Sequence, residues 1–189
     1  MYGLLRLQTV FLVLALLAPP HAQADFEDDE FFNERLGVSK ARYGAVERET
    51  VRYDGGQAPG TIIVDTSERR LYYVLPNRRA IRYGVGVGRE GFEWSGTSSV
   101  SRKAEWPSWT PPAEMHARHP GLPKFMPGGP DNPMGARALY LGASLYRIHG
   151  TNNKRSIGRA MSSGCIRMMN ADVIDLYRRV RVGTRVIVR

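Results

Sequence analysis

The sequence holds a single cysteine, so it forms no internal disulfide and no multi-cysteine zinc site. Histidine is sparse, at four residues, and only four of the 27 basic residues are lysine (40, 103, 124 and 154). No basic helix with interleaved aromatics is present, which argues against a nucleic-acid binder. Internal repeats are absent, and no sustained helical period appears before the last twenty residues or so, which excludes a helix bundle. The N-terminal apolar run Val10–Ala18 is nine residues long, against the roughly 20 that a membrane-spanning helix needs.

What remains is enough for one ordinary domain. The chain has 189 residues, of which 42% are hydrophobic and 24% charged. Twenty glycines and twelve prolines favour turns and strands. Arg6, the run Val10–Ala18 and Ala22-Gln23-Ala24 follow each other as the n-, h- and c-regions of a signal peptide, so residues 1–24 are expected to be removed and the protein exported to the periplasm or beyond. No cysteine follows the apolar run, and no lipid anchor is indicated. The net charge is +9, although Asp25–Glu34 carries six acids and no base. The body beyond this acidic head is therefore strongly basic and suits an anionic polymer. Residues 25–57 read as acidic head and linker, with room for one short helix.

From Gly60 the pattern turns to strands. Residues 61–65 and 71–75 are β-branched and aromatic runs joined by a polar turn, a hairpin signal. Residues 80–87 and 98–103 follow as two more strands. The runs 138–141 and 144–149 read as a second hairpin, and 186–188 as a closing strand. Asn170 is a candidate N-cap, with Val173, Ile174, Tyr177 and Val180 on one helix face. The expectation is a mainly β domain with one clear helix near the C-terminus. The Pro- and Gly-rich stretch 105–137 is expected to be an ordered loop that walls a groove.

Several motifs compete for the chemistry. Gly86-x-Gly88-x-x-Gly91 spells a dinucleotide fingerprint, but that motif works only where a helix begins and offers its amides to a pyrophosphate. The residues that follow carry no helical period, so these read as strand and turn glycines. His116 and His119 stand three apart among prolines without a third ligand, and read as surface histidines. Neither of these two motifs calls for a metal or an organic cofactor.

The informative stretch is 146–170. It contains the lone cysteine, Cys165, preceded by Ser162-Ser163-Gly164 and followed at a distance of two by Arg167. Small residues permit a tight turn that leaves a sulfur open beside backbone amides able to hold an oxyanion. A thiol of ordinary pKa is only about 3% thiolate at pH 7, so a base or nearby cation is needed. His149 ends a strand sixteen residues earlier and is followed by Gly150, whose carbonyl can orient the imidazole.

His149-Gly150-Thr151 with Ser162-Ser163-Gly164-Cys165-Ile166-Arg167-Met168 resembles the signature of the L,D-transpeptidase catalytic domain (YkuD-type). The likeness extends through 146–148, 156–158 and 128–141, and covers about 58–189. It implies a β-sandwich of mixed sheets and a cysteine acyltransferase of peptidoglycan biosynthesis. By position, Cys165 is then the nucleophile and His149 the base. Gly150 orients His149, the amides of Gly164 and Cys165 form the oxyanion hole, and Arg167, Ser163 and Thr151 meet substrate. The family often has histidine where Ser163 stands, so an auxiliary histidine role does not transfer. The implied substrate is a tetrapeptide stem, and the acceptor is the amine of a second stem or of an outer-membrane or periplasmic protein. The resemblance also implies acylation by carbapenems. Two other readings stay open: a carboxypeptidase or hydrolase on the same fold, and a non-catalytic wall-binding module.

Overall fold

The computed structural model describes residues 47–189. The expected signal peptide and acidic head lie outside the described residues. Ten strands form one sheet: β1 (Glu49–Arg52), β2 (Ile62–Asp65), β3 (Arg70–Leu75), β4 (Arg79–Gly88), β5 (Gly96–Glu105), β6 (Arg137–Leu141), β7 (Arg147–His149), β8 (Ala160–Ser162), β9 (Ile166–Met168) and β10 (Arg185–Val188). Two α-helices accompany them, the one-and-a-half-turn α1 (Ala113–Arg118) and the longer α2 (Asn170–Arg179). The expected strands are present within a residue or two at most boundaries. The run 144–149 is the exception, shortening to the three residues of β7.

Local chemistry explains the hairpins. Between β2 and β3, Asp65 Oδ1 accepts from Ser67 Oγ at 2.7 Å and from the Glu68 amide at 3.1 Å, which folds the turn back on its own backbone. Between β3 and β4, Asn77 and Arg78 both adopt positive φ, of 60° and 53°. Asparagine tolerates that region better than most residues.

Strand β4 is ten residues long and changes partners along its length. Its first half lies between β1 and β3, and its second half pairs with β9 at Val85–Gly86 and with β8 at Val87 and Gly88. The ladder therefore returns on itself in the order β4, β3, β2, β10, β5, β6, β7, β9 and back to β4. Parallel pairs (β10 with β2, β7 with β9, β4 with β8) mix with antiparallel ones. This closed circuit is the mixed-sheet β architecture expected. Gly86 permits the closure, since a Cβ there would stand 2.4 Å from the Ser156 carbonyl oxygen.

The interior is filled by Ile62, Val64, Leu71, Tyr83, Val85, Val100, Leu139, Ile148, Ile166 and Met168 from the strands and by Val173 and Leu176 from α2. Each fully buried aliphatic side chain contributes about 1.5–3 kcal/mol. Polar contacts also tie α2 to the sheet. The buried Tyr83 hydroxyl donates to Asp175 at 2.6 Å, and Lys103 Nζ donates to the Tyr177 carbonyl at 2.7 Å and to that of Val180 at 2.5 Å, covering carbonyls at the helix C-terminus.

Three expectations need correction. The segment 25–57 contributes a strand, β1, in the part described. Helix α1 interrupts the stretch expected to be loop throughout. Asn170 does not cap α2. Met169 holds the cap position without a side-chain bond, and Asn170 Oδ1 instead accepts from the Ala136 amide at 2.9 Å.

Candidate active site

Strands β7 and β9 run side by side in parallel, with Ile148 beside Ile166 and His149 beside Arg167. Side chains alternate across a strand. Ile148 and Ile166 enter the core, so His149 and Arg167 share the opposite face. Cys165 stands one residue before Ile166, and the same alternation turns it toward the His149 face. Two side chains sixteen residues apart in sequence are thereby mounted on adjacent backbone.

His149 is buried, at 5% exposure. Its Nδ1 lies 2.6 Å from the Gly150 carbonyl oxygen. A carbonyl only accepts, so this approach puts the proton on Nδ1 and leaves the lone pair on Nε2. Burial and the neighbouring Arg167 guanidinium push the ring pKa down from 6.5 to about 4, with Arg147 acting in the same direction. The Gly150 and Met134 carbonyls oppose this by favouring the charged ring. The imidazole is therefore neutral at neutral pH. Gly150 has no room for a side chain, since a Cβ would come within 2.2 Å of Asn170 Oδ1. Asn170 thus braces both 135–136 and the Gly150 turn.

The Cys165 thiol is partly open, and its Sγ faces the Leu145 carbonyl at 3.9 Å. The turn that carries it is tightly specified. Ser162 Oγ donates to the Cys165 carbonyl at 2.6 Å and accepts from the Gly164 amide at 3.1 Å. The Gly164 amide, expected with that of Cys165 to meet an oxyanion, is therefore engaged by Ser162 in this structure. Gly164 adopts φ of +100°, and a Cβ on it would stand 2.5 Å from the Tyr146 ring. The Gly164 carbonyl accepts from Trp94 Nε1 at 2.8 Å, and the indole stacks on Tyr146 with centroids 4.5 Å apart and an interplanar angle of 2°.

Arg167 is partly buried, and desolvation lowers its pKa, while the Cys165 side chain acts the other way. No ion pair joins Arg167 or Arg147 to a carboxylate among the described residues, and Arg147 Nε is buried without a hydrogen-bond partner. A thiol-bearing turn, an oriented neutral imidazole and uncompensated guanidinium charge thus share one strand face.

Residues 59–188 match the family model of the L,D-transpeptidase catalytic domain (YkuD). The chain belongs to that family. It is 45% identical over 134 residues to the probable L,D-transpeptidase ErfK/SrfK of Escherichia coli, a stretch that spans 66% of this chain and 42% of the relative. The chain thus spans under half the length of that relative. Among solved structures, the Enterococcus faecium L,D-transpeptidase catalytic domain acylated by ertapenem matches with a TM-score of 0.52 at 19% identity, covering 68% of this chain and 95% of that one, a likeness of fold. A Brucella melitensis protein described as a probable carnitine operon oxidoreductase is 40% identical, with a TM-score of 0.52 over 79% of this chain and 95% of its own.

In this L,D-transpeptidase domain the glycine fingerprint is not a nucleotide cradle. Gly86 and Gly88 lie within β4 and Gly91 in the turn after it, with no helix starting there. Neither His116 nor His119 joins a cluster of metal-ligating side chains among the described residues. Ser163 is half-buried beside Cys165. Thr151, expected to meet substrate, is 4% exposed, and its hydroxyl accepts from the Asn153 amide at 3.0 Å. That bond gives Thr151 a role in shaping the loop. The stretch 105–137 is ordered by a Trp109–Met126 bridge and by Asn132 Nδ2, which donates to the Met126 and Pro127 carbonyls at 3.2 and 2.8 Å. Trp94, Ser162 and Asn170 escaped the sequence reading as site residues. Only Ser162 lies in the motif, and the other two are brought in by packing.

Proposed function

We propose that the protein is a cysteine-dependent L,D-transpeptidase acting outside the cytoplasm on peptidoglycan tetrapeptide stems. The observation that carries this reading is a neutral, carbonyl-oriented His149 on the strand beside the turn that bears Cys165.

The thiol turns about χ1 from the Leu145 carbonyl toward the imidazole, whose lone pair takes the proton. Sulfur attacks the carbonyl of the third stem residue at its L-centre, and a C–S bond forms. The oxyanion that develops is met by the Cys165 amide. The C–N bond to terminal D-alanine breaks, and the imidazolium returns its proton to the leaving amine. An acceptor amine then attacks the thioester and loses a proton to His149, and the thiol is released. A second stem as acceptor gives a wall cross-link. A protein amine gives a protein attached to the wall. Arg167, without a carboxylate partner among the described residues, suits a substrate carboxylate, which guanidinium meets in a planar, bidentate way. Ser163 borders the same sulfur.

Intact-protein mass spectrometry tests this. The chain lacking residues 1–24 is mixed with a disaccharide-tetrapeptide, beside Cys165→Ala and a carbapenem control. The expected result is an acyl adduct on the wild type alone, with D-alanine released and dimer formed. Tripeptide without dimer would replace transfer with hydrolysis. A folded wild type that takes no adduct from either reagent would defeat the assignment.

A further inference from the structure

The peptide joining Gly164 to Cys165 is held from the side away from its N–H. A trans peptide is planar, and its C=O and N–H point in opposite directions. Trp94 Nε1 donates to the Gly164 carbonyl at 2.8 Å, so the same bond that anchors the carbonyl fixes the direction of the Cys165 N–H. With the Gly164 amide committed to Ser162 Oγ, the Cys165 amide is the donor of this turn left to face an oxyanion. Gly164 sits at φ of +100°, a region without much intrinsic preference for one peptide orientation in glycine. An external anchor is therefore required to hold the plane. Donation to a carbonyl also polarises its own amide and strengthens the N–H as a donor.

The indole itself is immobilised. It stacks on Tyr146, three residues before His149 on the strand approach, and Tyr146 in turn closes over the Cα of Gly164. Trp94 belongs to the β4–β5 connection, far from the cysteine motif in sequence, and has no contact described with the sulfur.

We infer that Trp94 is a positioning residue for the oxyanion-binding amide of Cys165, acting through the Gly164 carbonyl with Tyr146 as its support. The inference rests on the acyl-transfer reading. It requires that attack on a carbonyl depend on Trp94 while the reactivity of the thiol itself does not.

The test compares two reactions of the same sulfur. Carbapenem acylation passes through an oxyanion, whereas alkylation by iodoacetamide at its methylene carbon develops no such charge. Trp94→Phe keeps a ring to stack on Tyr146 and removes the N–H. The expected acylation rate constant falls ~10- to 100-fold, in line with loss of well-held oxyanion donors. Alkylation, and its dependence on pH, stay within about twofold of wild type. Replacement of Trp94 by its benzothienyl analogue, which exchanges only N–H for sulfur, gives the same split in case the phenylalanine variant misfolds. Acylation unchanged in a folded variant, or acylation and alkylation falling together, would overturn the inference. A wild type that alkylates but does not acylate would overturn the acyl-transfer reading beneath it, a distinct result.

Discussion

His149 differs from an ordinary histidine in that its ring does not titrate near neutrality. Burial and Arg167 hold the ring pKa near 4. The imidazole is therefore unprotonated across the range where a surface histidine changes charge, and carries no cation beside the thiol. Acylation by a carbapenem is expected to show no inflection near pH 6.5, with its acid limb below about pH 5. Rates followed by mass spectrometry across that range check this, and a half-maximal point at 6.5 would mean that the ring feels neither burial nor Arg167. At this scale the sequence was most legible where residue types are rare. One cysteine, one histidine ahead of a glycine, and a small-residue turn needed no structure to be singled out. Trp94 and Asn170 were not legible as site residues, because an indole donor and a buried amide leave no local spacing. The bond from the Gly164 amide to Ser162 was equally illegible, because a generic small residue in the motif gives no sign that it turns inward.

Among the elements, α2 combines an apolar face that follows from the 3.6-residue pattern with polar ties to the sheet, one of them from the Tyr83 hydroxyl to Asp175. Asp175 keeps its bonds to Arg179 when that hydroxyl is removed. Tyr83→Phe is thus expected to cost about 1.5 kcal/mol, the loss of one hydrogen bond to a charged group. A thermal melt several degrees lower would show it, and an unchanged melt would mean that packing alone seats the helix. Strands β2 and β3 were readable as β-branched and aromatic runs set between turn signals. β8 and β9, at three residues each, offer too little chain for any period to emerge. β9 is recognisable only by its partners β7 and β4. β1 escaped because its sequence, ETVR, is largely exposed and has one half-buried position.

Across the whole molecule, two buried groups set opposing demands on pH. His149 has a folded pKa of about 4 against 6.5, so the fold prefers the neutral ring and loses stability as pH falls from 6.5 through 4. Asp172 is raised by burial to about 6 against 3.8, so the fold prefers the neutral acid and loses stability as pH rises from 3.8 through 6. Over the shared window each term is of order 3 kcal/mol and they largely cancel. Asp172→Asn removes one of them. The wild-type melting temperature is expected to stay nearly level between about pH 6.5 and 4, while that of the variant falls. A variant as level as the wild type would count against a buried neutral His149. Such balance between an acid on α2 and a base on β7 cannot be read from a linear pattern, because it arises from which groups the closed sheet shuts away from water.

The closure of the sheet has a consequence for when the thiol becomes dangerous. β9 is held by β7 on one edge and by β4 on the other, and β4 comes from the first half of the domain. The imidazole and the sulfur become neighbours when β7 pairs with β9, and the seam with β4 then locks that pair into the closed ladder. A chain in which β7 and β9 have not paired carries a cysteine with no imidazole mounted beside it. If Cys165 is the residue acylated, as proposed, its reactivity toward acyl groups is tied to the two seams that hold β9, and the fold itself acts as a safety catch on the thiol.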